Sequence, residues 1–149
     1  MVIGHIICSL LSYAAFLVAF VSGLLFLIQE RQVKRKTMGL LFHHLPSLGA
    51  LDRVNFTAIS AGFVLLSLGL LFGLAGVRRL FGRWWIEDPK AYLTLFLWGS
   101  YLTLWLMRLR ATLRGRRVAL LSVLGFSLVL FTVLGAAYVA PSLHPYLSS

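Results

Sequence analysis

Long apolar runs separated by short basic stretches make up most of the chain. A helix needs about 20 mostly apolar residues to cross about 30 Å of hydrocarbon, and four segments approach or exceed that length. They lie at about residues 3–28, 56–77, 92–107 and 118–140, and Pro141 stops the last one. The pattern predicts an all-α membrane protein, a four-transmembrane-helix bundle that forms one domain over residues 1–149.

Composition supports a membrane location. The chain is 60% hydrophobic and only 12% charged, more apolar surface than one small soluble core can hide. Its net charge of +10 comes from short basic clusters between the apolar runs, a pattern typical of membrane topology and not of nucleic-acid binding. The single cysteine, Cys8, excludes an intrachain disulfide and any CxxC or CxxCH motif. The first apolar segment lacks a preceding basic region, so we interpret it as a helix of the mature protein.

The basic residues predict the orientation. Four of the fourteen fall around the connection between the second and third segments: Arg78, Arg79, Arg83 and Lys90. The other ten fall in the connections after the first and third segments: Arg31, Lys34, Arg35, Lys36, Arg53, Arg108, Arg110, Arg114, Arg116 and Arg117. By the positive-inside rule these ten face the cytoplasm, which places both termini and the loop at 84–89 outside a bacterial inner membrane.

The predicted connection from Gln29 to Asn55 contains a moderately amphipathic stretch, residues 38–45. It is either a segment lying on the inner leaflet or a plain cytoplasmic loop. His43 and His44 belong to it, so this topology places them on the inner side as solvated residues.

The second segment has glycines near one face. Gly69 and Gly73 stand in GxxxG spacing, which lets another helix backbone approach closely. We therefore expect tight helix packing there, although the spacing names no partner.

The distribution of acids excludes some functions. All four acids are predicted to lie in connections, which argues against a transporter that needs ionisable groups within the membrane. The sequence contains neither GxSxG nor HExxH, so hydrolytic catalysis has no motif.

Two histidines far apart in sequence, His5 and His144, are predicted to meet at the outer face. Neutral imidazole is a good axial ligand for haem iron, and two of them would hold a six-coordinate b-type haem. A planar macrocycle also needs aromatic walls and cations for its propionates. The walls would be Trp84, Trp85 and Tyr146, and the cations Arg79 and Arg83. The alternative is that these histidines and aromatic residues are ordinary interfacial anchors.

The same landmarks resemble a known family. Residues 5–15 are similar to a first external histidine before a helix of small and aromatic residues. Residues 84–90 are similar to a tryptophan-rich loop ending in Trp-Asp-Pro-Lys. Residues 142–146 are similar to a second external histidine motif, usually Gly-Leu-His-Ser-Tyr. Shorter likenesses lie at Leu51-Asp52-Arg53, Trp98 and residues 115–117. Together they resemble the C-terminal half of the cytochrome c assembly family, haem-handling membrane proteins that include the system II synthase component and HemX-like proteins.

The resemblance implies that His5 and His144 are the axial ligands of an external haem. The loop with Trp84, Trp85 and Asp88 would hold that haem for transfer to apocytochrome thiols. The chain departs from the family pattern at three places: Glu87 replaces a tryptophan, Ala91 a glutamate, and Leu106 a histidine inside the third helix. Without that histidine we expect no second, intramembrane haem.

We therefore expect a haem-binding membrane protein of the cytochrome c assembly type, with haem b as cofactor and no catalytic residues. Its expected partners are the lipid bilayer, other membrane subunits and an apocytochrome c. We do not expect the chain to be an enzyme by itself, because bond formation would need apocytochrome thiols, reductant and partner segments. The alternative is an accessory subunit of a larger respiratory or photosynthetic complex, structural or electron-carrying. A third possibility, HemX-like control of haem synthesis, has no motif of its own.

Overall fold

A computed structural model describes residues 2–36, 46–82, 89–110 and 115–139. Within these ranges the regular structure is entirely helical and forms four helices, α1 (Val2–Arg35), α2 (Leu48–Phe81), α3 (Pro89–Leu109) and α4 (Arg116–Val139). This confirms the all-α fold class. Two of the helices, α1 and α2, are long and apolar enough to cross a membrane.

The outer surface of these helices is apolar. Leu71 is 62% exposed, Phe96 64% and Phe131 70%. Exposed apolar side chains in this number indicate that the surrounding solvent is hydrocarbon.

The connection predicted from Gln29 to Asn55 is wrong at both ends, because α1 continues to Arg35 and α2 begins at Leu48. The length of an apolar segment indicates how much of a helix lies in the hydrocarbon. The helix can continue beyond that segment, because Glu, Gln, Lys and Arg are good helix formers. Lys34 reinforces the extension by donating a hydrogen bond to Glu30 at 2.7 Å. At the other end, the side chain of Ser47 caps α2 by accepting a hydrogen bond from the backbone N–H of Ala50 at 3.2 Å.

Two of the four acids, Glu30 and Asp52, consequently lie in helices and not in connections, and each is one turn inside the end of its helix. The amphipathic segment 38–45, with His43 and His44, lies outside the described residues.

α2 and α3 run antiparallel and are joined by two tryptophan–serine hydrogen bonds. The indole N–H of Trp98 donates to Ser67 Oγ at 2.9 Å, and that of Trp105 donates to Ser60 Oγ at 3.1 Å. The ring of Phe63 packs between the two indoles, with centroid distances of 5.8 Å and 5.3 Å. Trp98 and Trp105 are therefore packing residues that fix the register of α3.

α1 runs antiparallel to both α2 and α4. Its Ala19 carbonyl accepts a hydrogen bond from Asn55 Nδ2 at 2.7 Å, while its Phe20 ring lies 5.0 Å from that of Phe126. The start of α1, the end of α2, the start of α3 and the end of α4 therefore lie at one end of the molecule. We call this end, which contains His5, the histidine end. The opposite end, which contains Arg35, Arg53 and Arg116, is the basic end.

The core is centred on a stacked ring pair. Phe16 and Tyr101 are almost completely buried, and their ring centroids are 3.7 Å apart. A Cβ at Gly62 would stand 2.5 Å from Cε1 of Phe16, so only glycine lets α2 come this close to that ring.

A buried polar network links three helices in the half of the molecule nearer the basic end. Asn55 Nδ2 donates to Ser122 Oγ at 3.1 Å, and its Oδ1 accepts from the same hydroxyl at 3.2 Å. Ser22 Oγ is 3.4 Å from the same amide nitrogen. Because polar groups in hydrocarbon must find partners inside the protein, this network fixes how α1, α2 and α4 fit together.

An ion pair joins α2 and α3 at the basic end. Arg108 Nη2 lies 2.5 Å from Asp52 Oδ2, and its guanidinium carbon is 5.3 Å from the centroid of the Phe56 ring. Asp52 is thus engaged by a cation of the neighbouring helix.

Candidate functional site

The site begins with the imidazole of His5, which is half-buried between α1 and α2. Its Nδ1 lies 2.7 Å from the carbonyl oxygen of Gly69. A carbonyl can only accept a hydrogen bond, so Nδ1 carries the proton and donates it. In the neutral ring the lone pair then belongs to Nε2, which is the atom that can bind a metal.

Glycines of α2 make room for this ring. A Cβ at Gly73 would stand 3.1 Å from Nδ1 and 3.3 Å from Cε1 of His5. A Cβ at Gly69 would stand 3.2 Å from Ser9 Oγ, one turn further along α1. The expectation of close packing at the GxxxG spacing is therefore confirmed, and the helix that approaches is α1.

Sequence reasoning missed the Gly69 carbonyl as the partner of His5. The GxxxG spacing was a usable signal, because close backbone approach exposes a carbonyl to whatever side chain lies opposite. The register that brings His5 to that carbonyl depends on contacts along the whole of α1 and α2.

Of the other predicted site residues, the structure describes Arg79, which belongs to the same end of the fold. Arg79 lies in the last turn of α2, about 9 Å beyond Gly73 along the helix axis. Its side chain is exposed. Gly82, in the left-handed conformation with φ 66°, ends α2 by donating its N–H to the carbonyl of Arg78 at 3.0 Å.

The remaining predicted ligands and walls lie outside the described residues: Arg83, Trp84, Trp85, Asp88, His144 and Tyr146. The helix ends that flank them are described. α2 ends and α3 begins at the histidine end, and α4 reaches it at Val139. Within the described ranges, no group of three or more His, Cys, Asp or Glu side chains forms a metal cluster.

Leu106, the position at which the resemblance implies a histidine, lies on the surface of α3 and is 39% exposed. In the described part of the chain, His5 is the only histidine. The described residues thus contain one imidazole with the chemistry to bind a metal, at the histidine end.

The sequence profile of the family described as "Cytochrome C assembly protein" matches residues 1–144. The chain belongs to this family, and the resemblance drawn from its histidine and tryptophan motifs is confirmed. No solved structure matches the chain.

Among curated proteins the chain is similar to "Cytochrome c biogenesis protein CcsA" of several Prochlorococcus marinus strains. It is 38% identical over 96 residues to the protein of strain MIT 9215 and 38% identical over 99 residues to that of strain MIT 9312. The strain NATL1A protein is 32% identical over 96 residues. The matches to the MIT 9215 and MIT 9312 proteins each cover 64% of this chain and 31% of the relative. The matched part therefore spans about a third of the length of these relatives.

Proposed function

We propose that this membrane protein holds one b-type haem at its histidine end, between His5 and His144, and handles or delivers that haem in cytochrome c biogenesis. The observation that carries the proposal is the hydrogen bond from His5 Nδ1 to the Gly69 carbonyl. Metal-binding histidines typically donate their second ring N–H to a carbonyl or carboxylate, which fixes the tautomer and aims the ring. An interfacial anchor would have no need of this constraint.

Chain reach is compatible with a second ligand at the same end. His144 follows Val139, the last residue of α4, by five residues, a distance of at most about 18 Å in extended chain. The haem would lie between this histidine and Nε2 of His5. Bis-histidine ligation gives the iron six ligands, and the protein tunes it through these imidazoles and their hydrogen bonds.

The residues between α2 and α3 are suited to contact the macrocycle. Gly82 and Pro89 bracket a six-residue segment that contains Trp84, Trp85 and Asp88. The indoles would stack on the apolar porphyrin, while Arg79 and Arg83 would bind its propionates. Tyr146 would contribute another aromatic contact.

The role in biogenesis rests on membership in the family and on the similarity to the cytochrome c biogenesis proteins CcsA. A haem held at the edge of the helices, and not buried among them, is accessible to an apocytochrome. The thiols of that partner would receive the haem, and other membrane subunits would complete the assembly.

The proposal includes a membrane topology in which all four helices span a bacterial inner membrane. With 21 and 24 residues, α3 and α4 are about 32 Å and 36 Å long, enough to cross the hydrocarbon. The basic end would face the cytoplasm, and both termini would lie outside.

Two measurements test the proposal. A pyridine haemochrome spectrum of the purified protein should give one b-type haem per chain. Impermeant thiol labelling of single cysteines introduced at Arg35, Arg116 and Ser149, in a Cys8→Ser background, should modify only the last from outside. Absence of haem would contradict the function, and an inner C-terminus would contradict the shared face.

A further inference from the structure

A groove of about 740 Å³ lies on the exposed surface of the α1–α2 pair, away from the histidine end. Its floor and walls are mostly alanine and valine, including Ala15, Val18, Val54 and Ala61. Val18 and Val54 are 49% and 46% exposed, so the groove opens towards the surrounding hydrocarbon.

The shape of the groove fits one acyl chain. Its lining on α2 extends from Ser47, the cap of that helix, to Ala61, about 21 Å along the axis. The groove therefore runs from the headgroup region at the basic end to about the middle of a hydrocarbon core some 30 Å thick.

A cation stands at the mouth of the groove. Arg53 lines it and is exposed, and it forms no ion pair with any described residue. The two acids of the basic end are engaged elsewhere: Glu30 lies 2.7 Å from Lys34, and Asp52 lies 2.5 Å from Arg108. The positive charge at the mouth thus lacks a counter-ion in the described parts of α1–α4.

We infer that this groove binds an anionic phospholipid of the inner leaflet, with the phosphate at Arg53 and one acyl chain along the alanine and valine walls. Apolar walls suit hydrocarbon, and the unmatched guanidinium suits a phosphate. A packed membrane helix would fill the walls equally well but would have to bring its own acid to Arg53. The inference does not depend on haem binding, because the groove and the haem site lie at different ends of the fold.

Native mass spectrometry of the purified full chain in detergent tests this inference. The probes are phosphatidylglycerol and phosphatidylcholine with identical acyl chains. The wild type should bind phosphatidylglycerol about fivefold more tightly, the factor that corresponds to about 1 kcal/mol for one cation at the membrane surface.

Two matched pairs of variants locate the binding. Arg53→Gln should remove the preference for phosphatidylglycerol, whereas Arg117→Gln, which removes another exposed charge, on α4, should keep it. Val54→Trp should fill the groove and weaken both lipids several-fold. Val64→Trp should leave both unchanged, because Val64 is 51% exposed on the same helix but does not line the groove.

Three results would overturn the inference. Equal losses in Arg53→Gln and Arg117→Gln would mean a diffuse attraction of lipid to the basic end. Unchanged binding in Val54→Trp would mean that the lipid lies elsewhere. A wild-type dimer that dissociates in Val54→Trp but not in Val64→Trp would mean that a second copy of the chain covers the groove.

Discussion

Gly73 of α2 lies directly against the imidazole of His5, with the position that a Cβ would occupy only 3.1 Å from Nδ1. That distance is tighter than ordinary van der Waals contact, and the ring is at the same time held by its hydrogen bond to the Gly69 carbonyl. A methyl group at position 73 would have to push the ring or separate the two helices. The orientation of the proposed haem ligand therefore depends on a glycine one turn away from the carbonyl that holds it.

Gly73→Ala should weaken haem binding by about tenfold or more, as expected when the group that orients a metal ligand is disturbed. Haem titration of the apo-protein would measure the dissociation constant. The control is Gly99→Ala on α3, where a Cβ would meet nothing within 4 Å. Equal affinities for the two variants would show that the packing of His5 has no influence on the ligand.

Gly62→Ala should destabilise the fold, because the added Cβ would stand 2.5 Å from the buried Phe16 ring. Forcing extra volume into a packed core typically costs about 1–3 kcal/mol. Equilibrium unfolding in mixed detergent would measure the change. Gly49→Ala, in open space at the start of α2, should instead be neutral or stabilising by up to about 1 kcal/mol. If both variants lowered the free energy of unfolding by the same amount, the close approach of α1 and α2 at Gly62 would be contradicted.

Asn55→Ala should lower the free energy of unfolding by about 1–2 kcal/mol, since it removes hydrogen bonds to α1 and α4 and leaves Ser122 with fewer partners. Thr57→Ala serves as the control, because its exposed hydroxyl bonds only to the Arg53 carbonyl of its own helix. Equal stability of both variants would mean that the polar network does not hold the helices together.

Leu106→His should not create a second haem site. The side chain at this position is 39% exposed on the surface of α3, so a new imidazole would face the bilayer. Low-spin haem also needs a second axial ligand, and the described residues contain no histidine besides His5. The haem-to-protein ratio, measured by absorbance against amino-acid analysis, should stay at one. A ratio near two would reveal a partner for position 106 that the helices do not suggest.

Sequence predicted the four helices and the packing role of the Gly69–Gly73 spacing, because hydrophobic length and glycine spacing are local signals. It placed the helix ends poorly: the charged turns at Glu30 and Asp52 lie beyond the apolar segments yet remain helical. Contacts between helices, such as His5 with Gly69 or Asn55 with Ser122, were not predictable. They depend on the register of helices that are distant in sequence, which no single segment encodes.

The central claim is that His5 and His144 ligate one haem, and the absorption spectrum of the purified protein with its histidines replaced tests it most directly. The wild type should show a low-spin b-type spectrum. His5→Ala and His144→Ala should each lose most of the haem. His43→Ala and His44→Ala should retain it, because α2, which follows these two histidines in the sequence, begins at the end of the molecule opposite His5. A wild-type spectrum in the double variant His5→Ala, His144→Ala would contradict the assignment.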